Sequence, residues 1–411
     1  MIYFHWIAGT ILALAWFSRI VDAAIGMPSV ADISKPEWNR NSVTPAGNPR
    51  VSIIVPARNE EEDIEQSLTS LLELDYDNYE VIAVNDRSTD RTGEIMERVA
   101  NRVSLRDPRF SQRTREMGHP AHEGGCPLLR VIHHRELPVG WLGKTHAMWT
   151  ATNEAKGDWL LFTDADVLFK PDSLRRALAY AEAERADHVV LFPQMIMKGP
   201  GEYMMIAFFQ TMFMFGHRPW KVADPKSRDH MGVGAFNLIR RNVYESIGSY
   251  RALRMEVLDD MKLGKVVKNA GFAQRNVFGG DLISIRWARG ARGVVDNLTK
   301  NFFAVLSFNW PRTLISAFGL AFLNLMPFAG VWLARGWARL PYGIALGSMF
   351  LIYAGMSWRS KVPAYYFLLH PVSSVLFVYT LLRSMFLTLR NDGIVWRGTK
   401  YSLEELKRGM V

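Results

Sequence analysis

Residues 5–24, HWIAGTILALAWFSRIVDAA, form an apolar run long enough to cross a bilayer as a helix, which takes roughly 20 residues. Three further apolar stretches, at about 313–334, 341–357 and 363–388, lie toward the other end of the chain. In lipid a backbone must satisfy its own hydrogen bonds, so runs of this kind fold as helices. Residues 51–285, between them, carry the patterning of a water-exposed globular domain. The chain therefore joins a soluble domain to membrane helices. A transporter is disfavoured, because the soluble part is too large and the spans too few.

No charged residue precedes the first run, whereas Lys35, Arg40 and Arg50 follow it. That predicts a retained anchor, with the start of the chain outside and the continuation in the cytoplasm. A cleaved signal peptide would need a positive n-region, which is missing. The expected plan is an anchor at 1–25 and a Pro-, Ser- and Asn-rich linker at 26–50. A globular domain with interfacial helices follows at 51–312, then a membrane region at 313–390 and a basic tail at 391–411. Three later spans would put the tail outside. Its Arg390, Arg397, Lys400, Lys407 and Arg408 favour the inside, and a re-entrant or interfacial middle segment would reconcile the two. Residues 202–216, EYMMIAFFQTMFMFG, are too short to span and read as a buried or interfacial helix.

The net charge of +9 is unevenly spread: from Arg286 onward there are 15 lysines and arginines against 4 acids. This excess lies beside and between apolar runs, as attraction to anionic lipid headgroups would arrange it. A nucleic-acid binder would gather it on one compact face, so no nucleic-acid partner is expected. A single cysteine, Cys126, excludes a disulfide scaffold and a cysteine-based zinc site.

Within the globular part, VSIIV (51–55), VIAV (81–84), WLLFT (159–163) and VVLFP (189–193) read as buried strands. Helical stretches at 60–74, from Thr92, and from Pro171 to about Arg185 separate them. Strands alternating with helices predict an α/β domain with a mainly parallel sheet. Residues 101–129 read as a polar, Arg-rich insertion.

Open sheets of this class bind ligands at the carboxyl ends of their strands. Three acidic clusters fall there: PARNEEE (56–62), NDRSTD (85–90) and TDADV (163–167). In extended backbone Asp164 and Asp166 point to one side, where they repel unless a cation lies between them. Mg²⁺ or Mn²⁺ with diphosphate oxygens suits such a pair; a solvated turn with a helix cap suits it as well. Asp86 can accept hydrogen bonds from a base or ribose, or serve as a turn or cap residue. Arg58 and Glu60 can equally be helix-start residues. Asp259 and Asp260 lie among apolar neighbours that raise proton affinity, as a general base requires, or at a solvent-facing helix start. Lys144, in GWLGKTHA, suits a diphosphate; alone, it is one exposed lysine among many. Arg286 and Trp287 can meet a phosphate and a sugar, or form a membrane-interface pair. The histidines show no metal-ligand spacing.

VSIIVPARNEEEDIEQSLTSLL, VNDRSTDRT, GWLGKTHAM, WLLFTDADVLF, GAFNLIRRNVYESIGSY and LDDMKLG occur in an order and spacing that resembles the membrane-bound family 2 glycosyltransferases. The resemblance covers about residues 50–310 and is nearest to the lipid-glycosylating members: ceramide glucosyltransferase-like, hopanoid-associated and carotenoid enzymes. It implies a nucleotide-diphospho-sugar transferase (GT-A-like) domain, with inverting transfer of one sugar from a nucleotide-sugar, expected to be a UDP-hexose, to a membrane lipid. Pro56, Ala57, Arg58 and Glu60 then match the first nucleotide loop, and Asp86 the base-binding aspartate. Lys144 matches the lysine near the nucleotide, and Asp164 and Asp166 the D-x-D pair, with Asp166 the metal ligand for Mn²⁺ or Mg²⁺. Asp260 matches the general base, and Arg286 and Trp287 the end of the Q-x-x-R-W motif. Residues 202–220 and 297–311 would seat the acceptor's apolar tail. Ile283 stands in place of the motif's Gln, Asn85 in place of an acid, and Asp259 in place of Glu. The missing Gln and the small membrane region argue against a processive polysaccharide synthase. A non-catalytic scaffold would not need all three carboxylate sites. The expected location is a bacterial cytoplasmic membrane, with the catalytic domain in the cytoplasm.

Overall fold

The computed structural model describes residues 2–39, 48–105 and 128–410. Cys126 and most of the expected insertion lie outside these residues. The chain divides into two units: one is Asp32–Gln194 with His230–Ile285, and the other is Met1–Ala31, Met195–Asp229 and Arg286–Met410.

The first unit is the α/β domain. Its strands in chain order are β1 (Val51–Ala57), β2 (Tyr79–Asp86), β3 (Leu129–His134), β4 (Trp159–Phe162), β5 (Val167–Phe169), β6 (His188–Phe192), β7 (Gln194–Met195), β8 (Asn237–Arg240), β9 (Gln274–Phe278) and β10 (Ile283–Ile285). Seven form one sheet in the order β3-β2-β1-β4-β8-β6-β9. Every neighbouring pair is parallel except those involving β8, which runs against both β4 and β6. The mainly parallel expectation is met, with one reversed strand that the sequence pattern did not reveal.

The β-branched runs form the strands because both sheet faces are covered. Val51, Ile53, Ile54, Val55, Val81, Ile82, Leu160 and Leu161 are all fully buried. Helices Gly143–Glu154 and Asp259–Asn269 bring Ala147, Met148, Leu263 and Val267 into the cluster with Ile54, Ile82 and Phe162. Strand β3 was hidden in sequence by Arg130, His133 and His134, since an edge strand needs less apolar side chain. Part of the expected linker is built onto this domain. Asp32 bridges to Phe278, Ile33 N–H donates to the Phe278 carbonyl, and the Arg176 guanidinium donates to the carbonyls of Ile33, Ser34 and Lys35.

The second unit is helical. Four stretches among the described residues are long and apolar enough to cross a membrane: Ile2–Ser29, Trp310–Leu333, Gly336–Ser357 and Ala364–Arg390. Shorter helices Pro200–Gly216 and Gly290–Val305 pack with them, and a hairpin of Gly393–Trp396 and Thr399–Ser402 follows. Lipid gives helices no hydrophobic reason to associate, so polar contacts and close packing hold them. His370 is completely buried and bonded on both sides: the Tyr353 hydroxyl donates to Nδ1 at 3.0 Å, and Nε2 donates to Asn324 Oδ1 at 2.9 Å. Trp16 Nε1 donates to the Leu323 carbonyl, and Trp220 Nε1 to Asp22. Helix His370–Arg390 starts level with Asn324, midway along Trp310–Leu333. It ends near helix Gly290–Val305, where Ser384 Oγ accepts from Phe303 N–H and Lys300 sits 4.4 Å over the Trp396 ring.

Candidate functional site

Three strand ends and two helix starts of the α/β unit bear most of the predicted residues. Pro56 and Ala57 lie in β1, paired with Val84 and Asn85 of β2. Beyond them the Arg58–Glu62 and Asn85–Thr92 loops are stitched together. Asn59 N–H donates to Ser88 Oγ, Thr89 N–H to Asn59 Oδ1, Glu60 N–H to Thr92 Oγ1 and Glu61 N–H to Asp90. Asp90, the second acid of NDRSTD, thus holds the loop together. Asn59 and Arg87 sit in the left-handed region at φ 54° and 55°, conformations that non-glycine residues adopt at some cost.

Asp86 ends β2 almost fully buried. Arg87 grips both its oxygens, from Nε at 2.8 Å and Nη2 at 2.9 Å, and Arg58 Nη1 is 3.8 Å away. Gly143 opens the helix Gly143–Glu154 against this carboxylate; a Cβ there would collide with Asp86 Oδ2. Sequence reading singled out neither Arg87 nor Gly143 as a site residue.

Lys144 is the second residue of that helix and meets the other acids. Its Nζ lies 2.8 Å from Asp164 Oδ1 and 3.5 Å from Asp259 Oδ2. Burial opposes its charge, but Asp164, Asp259 and Asp260 together hold it well above the ordinary lysine range. Asp164 and Asp166 lie in the turn between β4 and β5. The turn is fixed by Thr163 N–H donating to the Ile54 carbonyl and Asp164 N–H to the Gly234 carbonyl. Burial, then Asp164, then Glu60 push the Asp166 carboxyl up to about 7. The ion pairs of Lys144 are made with Asp164 and Asp259 rather than with Asp166.

Asp260 stands in the first turn of Asp259–Asn269. Its Oδ2 accepts from Gly234 N–H at 2.8 Å and its Oδ1 from Met261 N–H at 2.7 Å. Burial raises its proton affinity, with Lys144 opposing. Gly234 therefore serves both acids, its carbonyl bonded to Asp164 N–H and its N–H to the Asp260 carboxylate. A Cβ on it would strike Asp164 Oδ2. Reversed strand β8 explains this: its leading loop, rather than its end, arrives at the same sheet edge as the ends of β1 and β4. The glycines of GVGAFN were the available signal.

Lys144, Asp164, Asp259 and Asp260 are thus joined by direct contacts or shared partners, Asp86 and Arg58 form a second set beside Gly143, and Asp166 and Glu60 interact through their mutual field. Arg286 and Trp287 belong to the helical unit. There Arg286 Nη2 donates to Glu202 Oε1 at 2.9 Å, and Trp287 packs on Phe209 with centroids 4.9 Å apart. Glu202, also unforeseen, is buried and accepts from Lys198 and Gly290 N–H groups too. Among the described residues, no group of three or more His, Cys, Asp or Glu side chains is arranged to hold a metal ion. An Asp166 carboxyl raised by burial and by the neighbouring Asp164 fits a divalent cation that also takes oxygens from a phosphate ligand.

Residues 52–248 match the family described as Glycosyl transferase family 2. A 4,4'-diaponeurosporenoate glycosyltransferase of Staphylococcus haemolyticus (strain JCSC1435) is 22% identical over 268 residues, 64% of each chain, so just under two thirds of that relative's length is spanned. The protein of the same name from Staphylococcus aureus (strain MRSA252) is 21% identical over 408 residues, 95% of this chain and 100% of its own. The solved mannosyltransferase PcManGT from Pyrobaculum calidifontis, in complex with GDP-Man and Mn²⁺, superposes with a TM-score of 0.52 at 18% identity, over 92% of this chain and 99% of that one. That likeness is one of fold. Residues 52–248 thus carry a family 2 glycosyltransferase domain, and the relatives that the chain resembles are named as glycosyltransferases.

Proposed function

We propose that this domain moves one sugar from a nucleotide diphosphate, a UDP-hexose, to a hydroxyl or carboxyl oxygen of a membrane-dissolved lipid, with inversion. The observation that carries this reading is the clustering of Asp164, Asp259 and Asp260 about the single cation of Lys144, at the strand edge where Asp86 also ends. Four apolar helices on the same chain support an acceptor taken from the bilayer. So do relatives named for a carotenoid acid.

Asp260 takes the proton from an acceptor hydroxyl. The freed oxygen forms a bond to the anomeric carbon as the carbon–oxygen bond to the diphosphate breaks, and that electron pair leaves with the nucleotide. The raised proton affinity of Asp260 suits a base working near neutral pH. Gly234 and Met261 N–H groups fix its orientation. Lys144 supplies positive charge for the departing diphosphate. Asp164 and Asp166 would hold Mn²⁺ or Mg²⁺, which when bound neutralises diphosphate charge. Asp86 accepts from the base, and Pro56, Ala57, Arg58 and Glu60 line the nucleotide loop. A bacterial cytoplasmic membrane, with this domain on the cytoplasmic side, fits the basic residues after the first span.

Asp260→Asn tests the assignment. Transfer to a native lipid extract should fall by about 10²–10⁴, while UDP affinity in the presence of Mn²⁺ stays within a factor of two or so. Loss of UDP binding instead would move Asp260 to the donor subsite. A ladder of products from the unaltered enzyme would replace single transfer by polymerisation.

A further inference from the structure

Two buried histidines beside Asp86 have no part in the chemistry above. His134 ends β3 directly opposite Asp86 in the strand register. Its side chain is 9% exposed, and its Nδ1 lies 3.9 Å from Asp86 Oδ1, beyond hydrogen-bond reach. Neither of its ring nitrogens has a hydrogen-bond partner among the described residues. His146, also 9% exposed, packs its ring 4.6 Å from that of His134, and its Nδ1 has no hydrogen-bond partner either. Trp141 closes on His146 at 5.4 Å and on Trp149 at 5.1 Å. The adjacent His133 is the contrast: it is bonded to Asn85 at 3.0 Å and to Glu97 at 2.8 Å.

A buried polar atom left unbonded costs stability, so three of them at one strand end ask for a function. They surround the carboxylate expected to meet the base. Arg87 holds both oxygens of Asp86, yet a carboxylate offers about four lone-pair sites, which leaves room for a further donor. A ring N–H beside a carbonyl, as in uracil, thymine or guanine, would donate to Asp86 and present its carbonyl to a neutral imidazole N–H one strand away. Cytosine and adenine, with a ring acceptor beside an amino group, would face a carboxylate with the wrong edge.

We infer that His134, backed by His146, is the residue that selects the donor's base, donating to the carbonyl next to the ring N–H that Asp86 accepts. This rests on the nucleotide-sugar reading. The full chain in detergent, with Mn²⁺, is titrated calorimetrically with UDP, GDP, dTDP, CDP, ADP and inorganic pyrophosphate. His134→Ala should weaken UDP, GDP and dTDP about tenfold, the worth of one hydrogen bond at about 1.4 kcal/mol, and leave CDP, ADP and pyrophosphate unchanged. His146→Phe, which keeps a ring behind His134, should weaken the same three less. A measurement without any variant accompanies these: the unaltered protein should bind 4-thio-UDP, which keeps the ring N–H and puts a weak sulfur acceptor in place of the carbonyl oxygen, up to about tenfold more weakly than UDP. Equal losses for all six ligands, or unchanged UDP affinity together with an unpenalised 4-thio analogue, overturn the inference and leave two histidines packed for shape. If the unaltered protein binds no nucleoside diphosphate, the nucleotide-sugar reading falls, and this inference with it.

Discussion

The Asp166 carboxyl allows a quantitative test that needs no substrate. Burial and the charges of Asp164 and Glu60 raise it from 3.8 to about 7 in the folded chain. A carboxyl raised on folding contributes stability that is fully present below its unfolded value, near 4, and is lost as pH rises through about 7. The whole displacement corresponds to at most about 4 kcal/mol, at about 1.4 kcal/mol per pH unit. Between pH 5.5 and pH 8 the loss is about 2 kcal/mol. For a unit of this size that is about 4–8 °C in melting temperature. Asp166→Asn removes the charge while keeping the shape, so its melting temperature should change less over the same interval and exceed the unaltered protein's at pH 8. The assay is thermal unfolding of purified protein in detergent, followed by tryptophan fluorescence. Millimolar Mn²⁺ at pH 8 should stabilise the unaltered protein, as ligand binding to the folded state must, and leave Asp166→Asn unmoved. If the two proteins show the same slope with pH, the electrostatic account of the D-x-D turn is wrong.

Two further outcomes follow from the geometry. Gly234→Ala drives a methyl group toward the Asp164 carboxylate; it should lower kcat at least tenfold with a melting temperature within about 3 °C of the unaltered protein, an overpacking cost of about 1 kcal/mol. The sidedness of the tail can be read by maleimide labelling of sealed vesicles, with Cys126 replaced by Ser. Because Trp396 lies beneath Lys300 of helix Gly290–Val305, Lys407→Cys should be labelled from the same side as Arg292→Cys, and labelling from opposite sides would make helix His370–Arg390 a full crossing.

Much of the α/β unit was legible because its strands are buried on both faces and announce themselves as apolar runs. β3 and β8 were not. β3 is an edge strand with charged and imidazole side chains, and β8, NLIR, is too short for its direction to be read from a pattern. The acids were visible through their position after strands. Their surroundings were not, because Lys144 reaching Asp164 and Asp259, or Gly234 bonding both Asp164 and Asp260, depends on segments distant in sequence. Glu202 escaped notice for the opposite reason. It opens an apolar stretch where a lone acid looks like a solvated helix start, and only folding buries it against Arg286 and Gly290.

The backbone of the α/β unit is interrupted once by the helical unit: the chain departs after Gln194, forms helix Pro200–Gly216 and comes back at His230. Four residues after its return, Gly234 hands a hydrogen bond to the Asp260 carboxylate. Gly234 reaches that carboxylate only because β8, which follows it, runs against β4 and β6. The acid cluster is therefore complete only once this one reversed strand has found its place between two neighbours distant in sequence, and any change that weakens the pairing of Asn237–Arg240 loosens Asp164 and Asp260 together.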